Sequence, residues 1–256
     1  MKISIFTPSN NLTFLNDAYD SFKNQDFFEW VLLFNNISTP TDAKKYPFLK
    51  DKRVKIFNLP KINNDYNIGF LKNLTCGVAT GDILVELDHD DLLTEDAISE
   101  IKNAFKDPEV GFVYSNTANF SDNFQATPKY DETIGWVHRK IGINDIIEHV
   151  AWEPSPFVLD RIWFAPNHVR AWRTTVYKKI GGHNWSFKIL DDQELIMRTY
   201  IQTKFKHIDK CLYLYRITGK NNWLKYNKEI QSQTGKLHNK FYCCFFIGCW
   251  VPGRSG

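Results

Sequence analysis

Short, continuous apolar runs alternate with segments of helical spacing through the first 115 residues, and this alternation limits the fold more than any other feature of the sequence. KISIFT at 2–7 reads as a strand stopped by Pro8. Asn10 and Asn11 are good N-cap residues, and Leu12, Leu15, Ala18, Tyr19 and Phe22 follow at helical spacing. FEWVLLF at 28–34 is an apolar run interrupted only by Glu29, as expected of a strand covered on both faces. RVKIF at 53–57 gives a third strand, 68–80 a helix with Gly81 as its C-cap, and ILVEL at 83–87 a fourth strand. Thr94 then caps a helix through Phe105, with Glu95 and Asp96 in its first turn, and VGFVYS at 110–115 is a fifth strand.

Such alternation requires right-handed βαβ crossovers, hence an α/β fold: a Rossmann-like open sheet, mixed but mostly parallel, with helices on both faces. Ligands of these sheets sit beyond the carboxyl ends of the strands. That rule singles out 7–11, Asn35 and Asn36, and the acidic run 88–91. The pattern dissolves between 120 and 160, where Pro128, Pro154 and Pro156 punctuate scattered Trp and His. It resumes as a strand at 167–173, a short helix ending at Gly181–Gly182, a helix over 191–201, and two strands, KFKHI and CLYLYRI.

Composition narrows the function classes. The chain has 256 residues, enough for one large domain, and 43% hydrophobic residues supply a sizeable core. A net charge of +3 gives no reason to expect a nucleic-acid partner. No apolar stretch is long enough for a secretion signal or a membrane helix. Five cysteines, odd in number and without a CxxC pair, argue against a disulfide framework or a zinc cluster. A soluble cytoplasmic protein is the expectation.

Two acidic clusters carry the chemistry. In LDHDD, Asp88 ends a buried strand and Asp90 and Asp91 follow on the turn. Hard cations such as Mg²⁺ or Mn²⁺ bind to few carboxylates and leave positions open for phosphate. The plain alternative is a solvated turn capping the next helix. In ILDDQELIMR, Asp191 and Asp192 open a helix, so either is an N-cap or a carboxylate base able to take a proton from a hydroxyl.

These segments together resemble the GT-A-fold glycosyltransferases of family 2, from residue 1 to about residue 222. ISIFTPSNN is similar to the family's opening strand and turn. GFLKNLTCGVATGDILVELDHDD resembles its Gly-x-x-x-Arg-Asn-x-Gly-x-x-x-Ala-x-Gly-Asp, strand, Asp-x-Asp-Asp signature. KKIGGHN followed by DDQELIMR resembles its Gly-Gly turn and Glu-Asp-x-x-Leu-x-x-Arg segment.

The resemblance implies a metal-assisted, inverting hexosyl transfer from a nucleoside diphosphate sugar, with UDP favoured, to a saccharide or glycan hydroxyl. It divides the chain into a nucleotide-sugar half at 1–115, an acceptor and catalytic-base half at 116–222, and a tail at 223–256. Asp88 would face the donor ribose or a metal-bound water, and Asp90 would ligate Mn²⁺ or Mg²⁺. Asp192 falls on the general base and Asp191 on the preceding acidic position. Thr7 and Pro8 would line the base pocket, with Lys72 at the family's Arg and Asn73 at its Asn. Three positions depart from the family pattern: Asn35 and Asn36 replace its aspartates, and Thr218 replaces a His that approaches the diphosphate. Lys220 or His168 would then supply the missing positive charge.

Strand alternation places His168, Arg170 and Trp172 on the face toward the Asp192 helix, and leaves Arg173 structural and exposed. The other histidines lack ligand spacing. Trp136, Trp152, Trp163 and Trp185 are better explained by core packing than by stacking on sugar. The apolar tail at 242–251, preceded by lysines, reads as an ill-packed terminus in preference to a peripheral membrane patch. The rival function is a silent GT-A domain that only binds nucleotide or glycan, supported by Asn35, Asn36 and Thr218. A nucleotidyltransferase would want a glycine-rich phosphate loop, and TPSNN has none.

Overall fold

The computed structural model describes residues 1–60, 66–125, 127–142, 145–162, 164–219 and 221–242. Lys220, Trp163 and the apolar tail from Cys243 onward, each singled out by the sequence, lie outside the described residues.

In chain order the elements are β1 (Ile3–Ser9), α1 (Leu15–Phe22), β2 (Glu29–Phe34), β3 (Val54–Asn58), α2 (Ile68–Val78), β4 (Ile83–Glu86), β5 (Leu92–Leu93) and α3 (Ala97–Ala104). They continue with β6 (Val110–Ser121), β7 (His138–Lys140), β8 (Ile147–His149), α4 (Pro156–Arg161), β9 (Arg170–Arg173), α5 (Thr174–Lys179) and α6 (Asp191–Gln202). The last are β10 (Lys204–Ile217), α7 (Asn222–Lys225) and α8 (Asn227–Tyr242). The sheet order is β3-β2-β1-β4-β9-β6-β10-β5, and the β7–β8 hairpin joins through β6. β1, β2, β3 and β4 are mutually parallel, as are β6 and β10; β9 is inserted antiparallel between β4 and β6. This is the expected open, mostly parallel sheet.

Both faces are buried, and the period of two along each strand assigns side chains to them. Ile3, Ile5, Trp30, Leu32, Ile83, Val85, Val113 and Ala171 meet α1 and α3 through Tyr19, Phe22, Ala97 and Ile101. Phe6, Val31, Leu84, Phe112, Tyr114 and Trp172 face the opposite way and meet α2, α5 and α6 through Cys76, Tyr177, Leu195 and Ile196. α8 docks on α6, with Ile230, Leu237 and Phe241 packed against Met197, Ile189 and Leu190.

Several local expectations change. α1 begins at Leu15, because Asn11 Oδ1 accepts from the Thr13 backbone N–H (2.9 Å) and hydroxyl (2.7 Å), closing a local turn instead of capping the helix. α2 ends at Val78 with an extended Ala79, so Gly81 is no helix cap. Gly81 is needed for close packing: a Cβ there would lie 2.5 Å from Ser4 Oγ. Thr94 bonds Asp96 Oδ1 (2.9 Å) and leaves the N-cap of α3 to Asp96 itself. KFKHI and CLYLYRI form one strand, β10, whose register shifts absorb the polar residues between them. The unreadable stretch after residue 120 contributes β7, β8 and α4. Arg173 is half-buried, not exposed, since its guanidinium donates to the carbonyls of Val110, Phe105 and Asp107.

Candidate active site

A cleft of about 620 Å³ opens beyond the carboxyl ends of β1, β2 and β4. Pro8–Asn11 and Asn35 form one wall, Ile68, Leu71 and Lys72 of α2 another, and Asp88–Asp90 the floor beyond β4. Lys188–Leu190 of the loop before α6 and Asp191 and Asp192 at its start enter from another side, and Thr218, Asn221, Asn222 and Trp223 close the side after β10. The location follows from topology: parallel strands end here, and their crossover loops diverge to leave a crevice.

The chain folds to bring α6 here because the turn before it is fastened on several sides. Gly182 has φ +64° and a Cβ on it would strike Tyr177 and Asn73, so only glycine fits. Asn73 Nδ2 donates to the His183 carbonyl (2.7 Å) and Arg198 Nη2 to that of Gly182 (2.7 Å). Glu194, buried, holds Arg198 in return (2.6 Å). Asn73 is thus a fastening residue behind the cleft.

Behind the cleft wall lies a buried charge network that no stretch of sequence reveals. Lys72 pairs with Glu86 and lies 3.7 Å from Asp191 Oδ2. Arg170, 1% exposed, bonds Asp192 Oδ2 at 2.5 Å and approaches Glu86 Oε2 at 4.0 Å. His183 Nε2 stands 3.8 Å from Asp191 Oδ2, and both atoms lack hydrogen-bond partners among the described residues. Burial penalises every carboxylate here, but the neighbours differ. At Asp192, Arg170 and then Lys72 outweigh burial and draw the carboxyl down to about 2. At Asp191 burial prevails over Lys72, aided by the Asp192 and Glu86 charges, and pushes the carboxyl up to about 7. Glu86 is drawn below its ordinary value because Lys72 and Arg170 overcome its burial. Burial and the Lys72 charge push His183 down to about 3, so it is neutral.

The predicted residues divide accordingly. Pro8, Asn35, Lys72, Asp88, Asp90, Asp191 and Asp192 all line the cleft. Thr7 does not: its hydroxyl donates to the Leu87 carbonyl (2.7 Å) and accepts from Trp30 Nε1 (2.9 Å), a strand-to-strand tie. Asn36 is half-buried outside the cleft lining, in a left-handed turn of φ 57°. His168 lies two residues before β9, which begins at Arg170, and is near enough to Asp192 to feel its charge. Its ring stacks on Tyr213 at 4.6 Å, and enclosure, with the Arg170 charge, holds it well below the ordinary histidine value. It therefore supplies no positive charge. The missed residues are Glu86, His183, Lys188 and Trp223. Arg170 stood in the right alternation, but nothing in the sequence paired it with Asp192. Trp136 is a core residue, 5% exposed, as expected, whereas Trp185 is 63% exposed.

Asp88 and Asp90 suit a divalent cation. Among the described residues neither carboxylate has a hydrogen-bond or ion-pair partner, and both line a polar cleft. Burial, then the Glu86 and Asp90 charges against Lys72, raises the Asp88 carboxyl. No group of three or more His, Cys, Asp or Glu among the described residues forms an all-protein cage. Two carboxylates with the remaining positions left to water and phosphate is the usual arrangement for Mg²⁺.

An open sheet of this order, with an acidic turn after β4 facing an acidic helix start, defines a GT-A glycosyltransferase domain. The sequence profile described as "Glycosyl transferase family 2" matches residues 4–179, and the chain belongs to that family. No curated protein matches the sequence. Among solved structures, S. aureus TarS 1–349 aligns over 97% of this chain and 74% of its own, at TM-score 0.60 and 16% identity. The same fragment in complex with UDP-GlcNAc aligns over 96% and 73%, at TM-score 0.61 and 15% identity. Against the structure titled S. aureus TarS, without stated fragment bounds, the chain covers 43% of the length, at TM-score 0.62 and 16% identity. No helix among the described residues is long and apolar enough to cross a membrane.

Proposed function

We propose that the protein is an inverting glycosyltransferase that moves a sugar from a nucleoside diphosphate donor, UDP favoured, to a saccharide hydroxyl. The observation that carries this reading is the convergence of Asp88 and Asp90 with Asp191, Asp192 and Lys72 on one cleft at the strand ends. The base rests against the first wall, where buried Asn35 Oδ1 has no partner among the described residues and would accept from uracil N3–H. UDP-GlcNAc and UDP in the TarS structures support the same base. The half before residue 116 holds the donor, and the half from 116 to 222 supplies Asp192 and the acceptor surface.

Asp88 and Asp90 would hold Mn²⁺ or Mg²⁺, which supplies charge neutralisation to the departing diphosphate. Lys188 lines the same cleft and takes the role first given to Lys220 or His168: its ammonium lies over Tyr226 (5.0 Å) and has no carboxylate partner among the described residues. The acceptor oxygen bonds to C1 as the C1–O–phosphate bond breaks, and the hydroxyl proton passes to Asp192 Oδ. Asp192 is the more accessible of the two aspartates, 19% against 6% for the side chains. Arg170 keeps it ionised and oriented. Late in bond formation the acceptor oxygen is strongly acidic, so even a weak base receives its proton.

Thermal unfolding with UDP, GDP, CDP and dTDP, each with and without Mn²⁺, tests the reading on wild type and Asp90→Ala. UDP at about 100 times its Kd should add roughly 2.7 kcal/mol, dependent on Mn²⁺ and lost in the variant. Stabilisation by no nucleotide would sink the donor assignment and favour a silent glycan-binding domain.

A further inference from the structure

We propose that Tyr213 and Arg216, three residues apart on β10, are positioning residues that fix the acidic turn in its cation-binding shape; this rests on Asp88 and Asp90 as cation ligands. Three of the four residues at 88–91 are tied to β10. The Tyr213 hydroxyl accepts from the Asp88 backbone N–H (3.1 Å) and donates to Asp91 Oδ2 (2.7 Å). The Arg216 backbone N–H donates to Asp91 Oδ1 (2.7 Å), and its Nε donates to the Asp90 carbonyl (2.7 Å). Arg216 is anchored in turn: Nη2 donates to Asp17 Oδ2 (3.0 Å), and the guanidinium lies over Phe14 at 4.1 Å and Phe120 at 4.7 Å.

This clamp answers a physical need. Three aspartates within four residues repel one another, and β5, two residues long, is too short to hold their turn. Asp91 is turned inward, 1% exposed, and both its oxygens are occupied by β10, which leaves Asp88 and Asp90 facing the cleft. The same strand then exits toward Thr218 and Asn221, which also line the cleft, and Asn221 Nδ2 donates to the Arg216 carbonyl (2.8 Å). One residue therefore sets the acidic floor relative to the wall beside it.

Tyr213→Phe keeps the ring against His168 and removes only the hydroxyl. Arg216→Lys keeps the charge but cannot bond both the Asp90 carbonyl and Asp17. Free Mn²⁺ is titrated by electron paramagnetic resonance at saturating UDP, beside melting temperature and uridine affinity without metal. Each variant should weaken Mn²⁺ binding about tenfold or more, as outer ligand supports do, with uridine affinity unchanged. Equal Mn²⁺ affinity in wild type and both variants overturns the positioning role and leaves the cation site standing. No Mn²⁺ uptake by wild type overturns both. If Tyr213→Phe does not fold, Arg216→Lys decides alone.

Discussion

Asp191→Asn should stabilise the protein in alkaline solution relative to acid, by an amount that follows from burial. The wild-type carboxyl titrates at about 7 in the folded chain against 3.8 as the ordinary value, because burial outweighs the attraction of Lys72. A raised carboxyl pKa means that the folded state binds a proton more tightly than the unfolded one. Folding stability therefore falls as pH rises from the unfolded value through the folded one, and is level above it. Each pH unit in that window costs about 1.4 kcal/mol. Between about pH 5 and pH 8.5 only the first two units lie below the folded value, so wild type loses about 2.7 kcal/mol. The variant's amide has nothing to ionise and escapes this loss. Urea unfolding of both proteins at the two pH values gives the difference directly. A gap between variant and wild type that does not grow with pH would refute the reasoning: Asp191 would then be ionised throughout, held by Lys72, and the buried network would carry one more negative charge than described.

Three further outcomes follow from the cleft. Asp192→Asn should lower transfer by about 10²–10⁴-fold with UDP affinity kept, measured by turnover and calorimetry; retained turnover would remove Asp192 as the base. Lys188→Ala should weaken UDP about tenfold or more, the worth of one charge-assisted contact of roughly 1.5–3 kcal/mol, and leave uridine untouched; equal loss for both would mean Lys188 does not meet phosphate. Gly69→Ala should destabilise by about 1–3 kcal/mol through overpacking, since its Cβ would lie 2.0 Å from the Asn184 carbonyl. An unchanged denaturation midpoint would show that α2 and the loop before α6 are not in direct backbone contact.

The strand ends were legible in the sequence because a continuous apolar run announces its own termination, and in a parallel sheet termination is where ligands go. Asp88, Asp90, Asn35 and Pro8, which line the cleft, were singled out this way, each from residues adjacent in the chain. The acidic start of α6 was found through its Gly-Gly turn, again a local signal. What escaped was partnership across the chain. Arg170 and Asp192 are 22 residues apart, Lys72 and Asp191 more than 100, and no periodicity ties one to the other. Thr7 lies outside the cleft lining for the same reason: its position near a strand end is local, but the groups that claim its hydroxyl, Trp30 of β2 and Leu87 just after β4, arrive from elsewhere in the chain. His168 lies two residues before β9, and burial with the neighbouring Arg170 charge, another partner supplied by the fold, lowers its pKa. The two aspartates at 191 and 192 join both sides of this division. Chain position gives them the same chemistry and the same helix start, yet burial, outweighing Lys72, leaves one only about half ionised at pH 7, while Arg170 makes the other an anion far below it. Adjacent identical residues thus acquire different charge states from partners that only the fold delivers: Asp192 is held ionised by Arg170, as the proposed base role requires, and Asp191 is less exposed, beside Lys72 and His183.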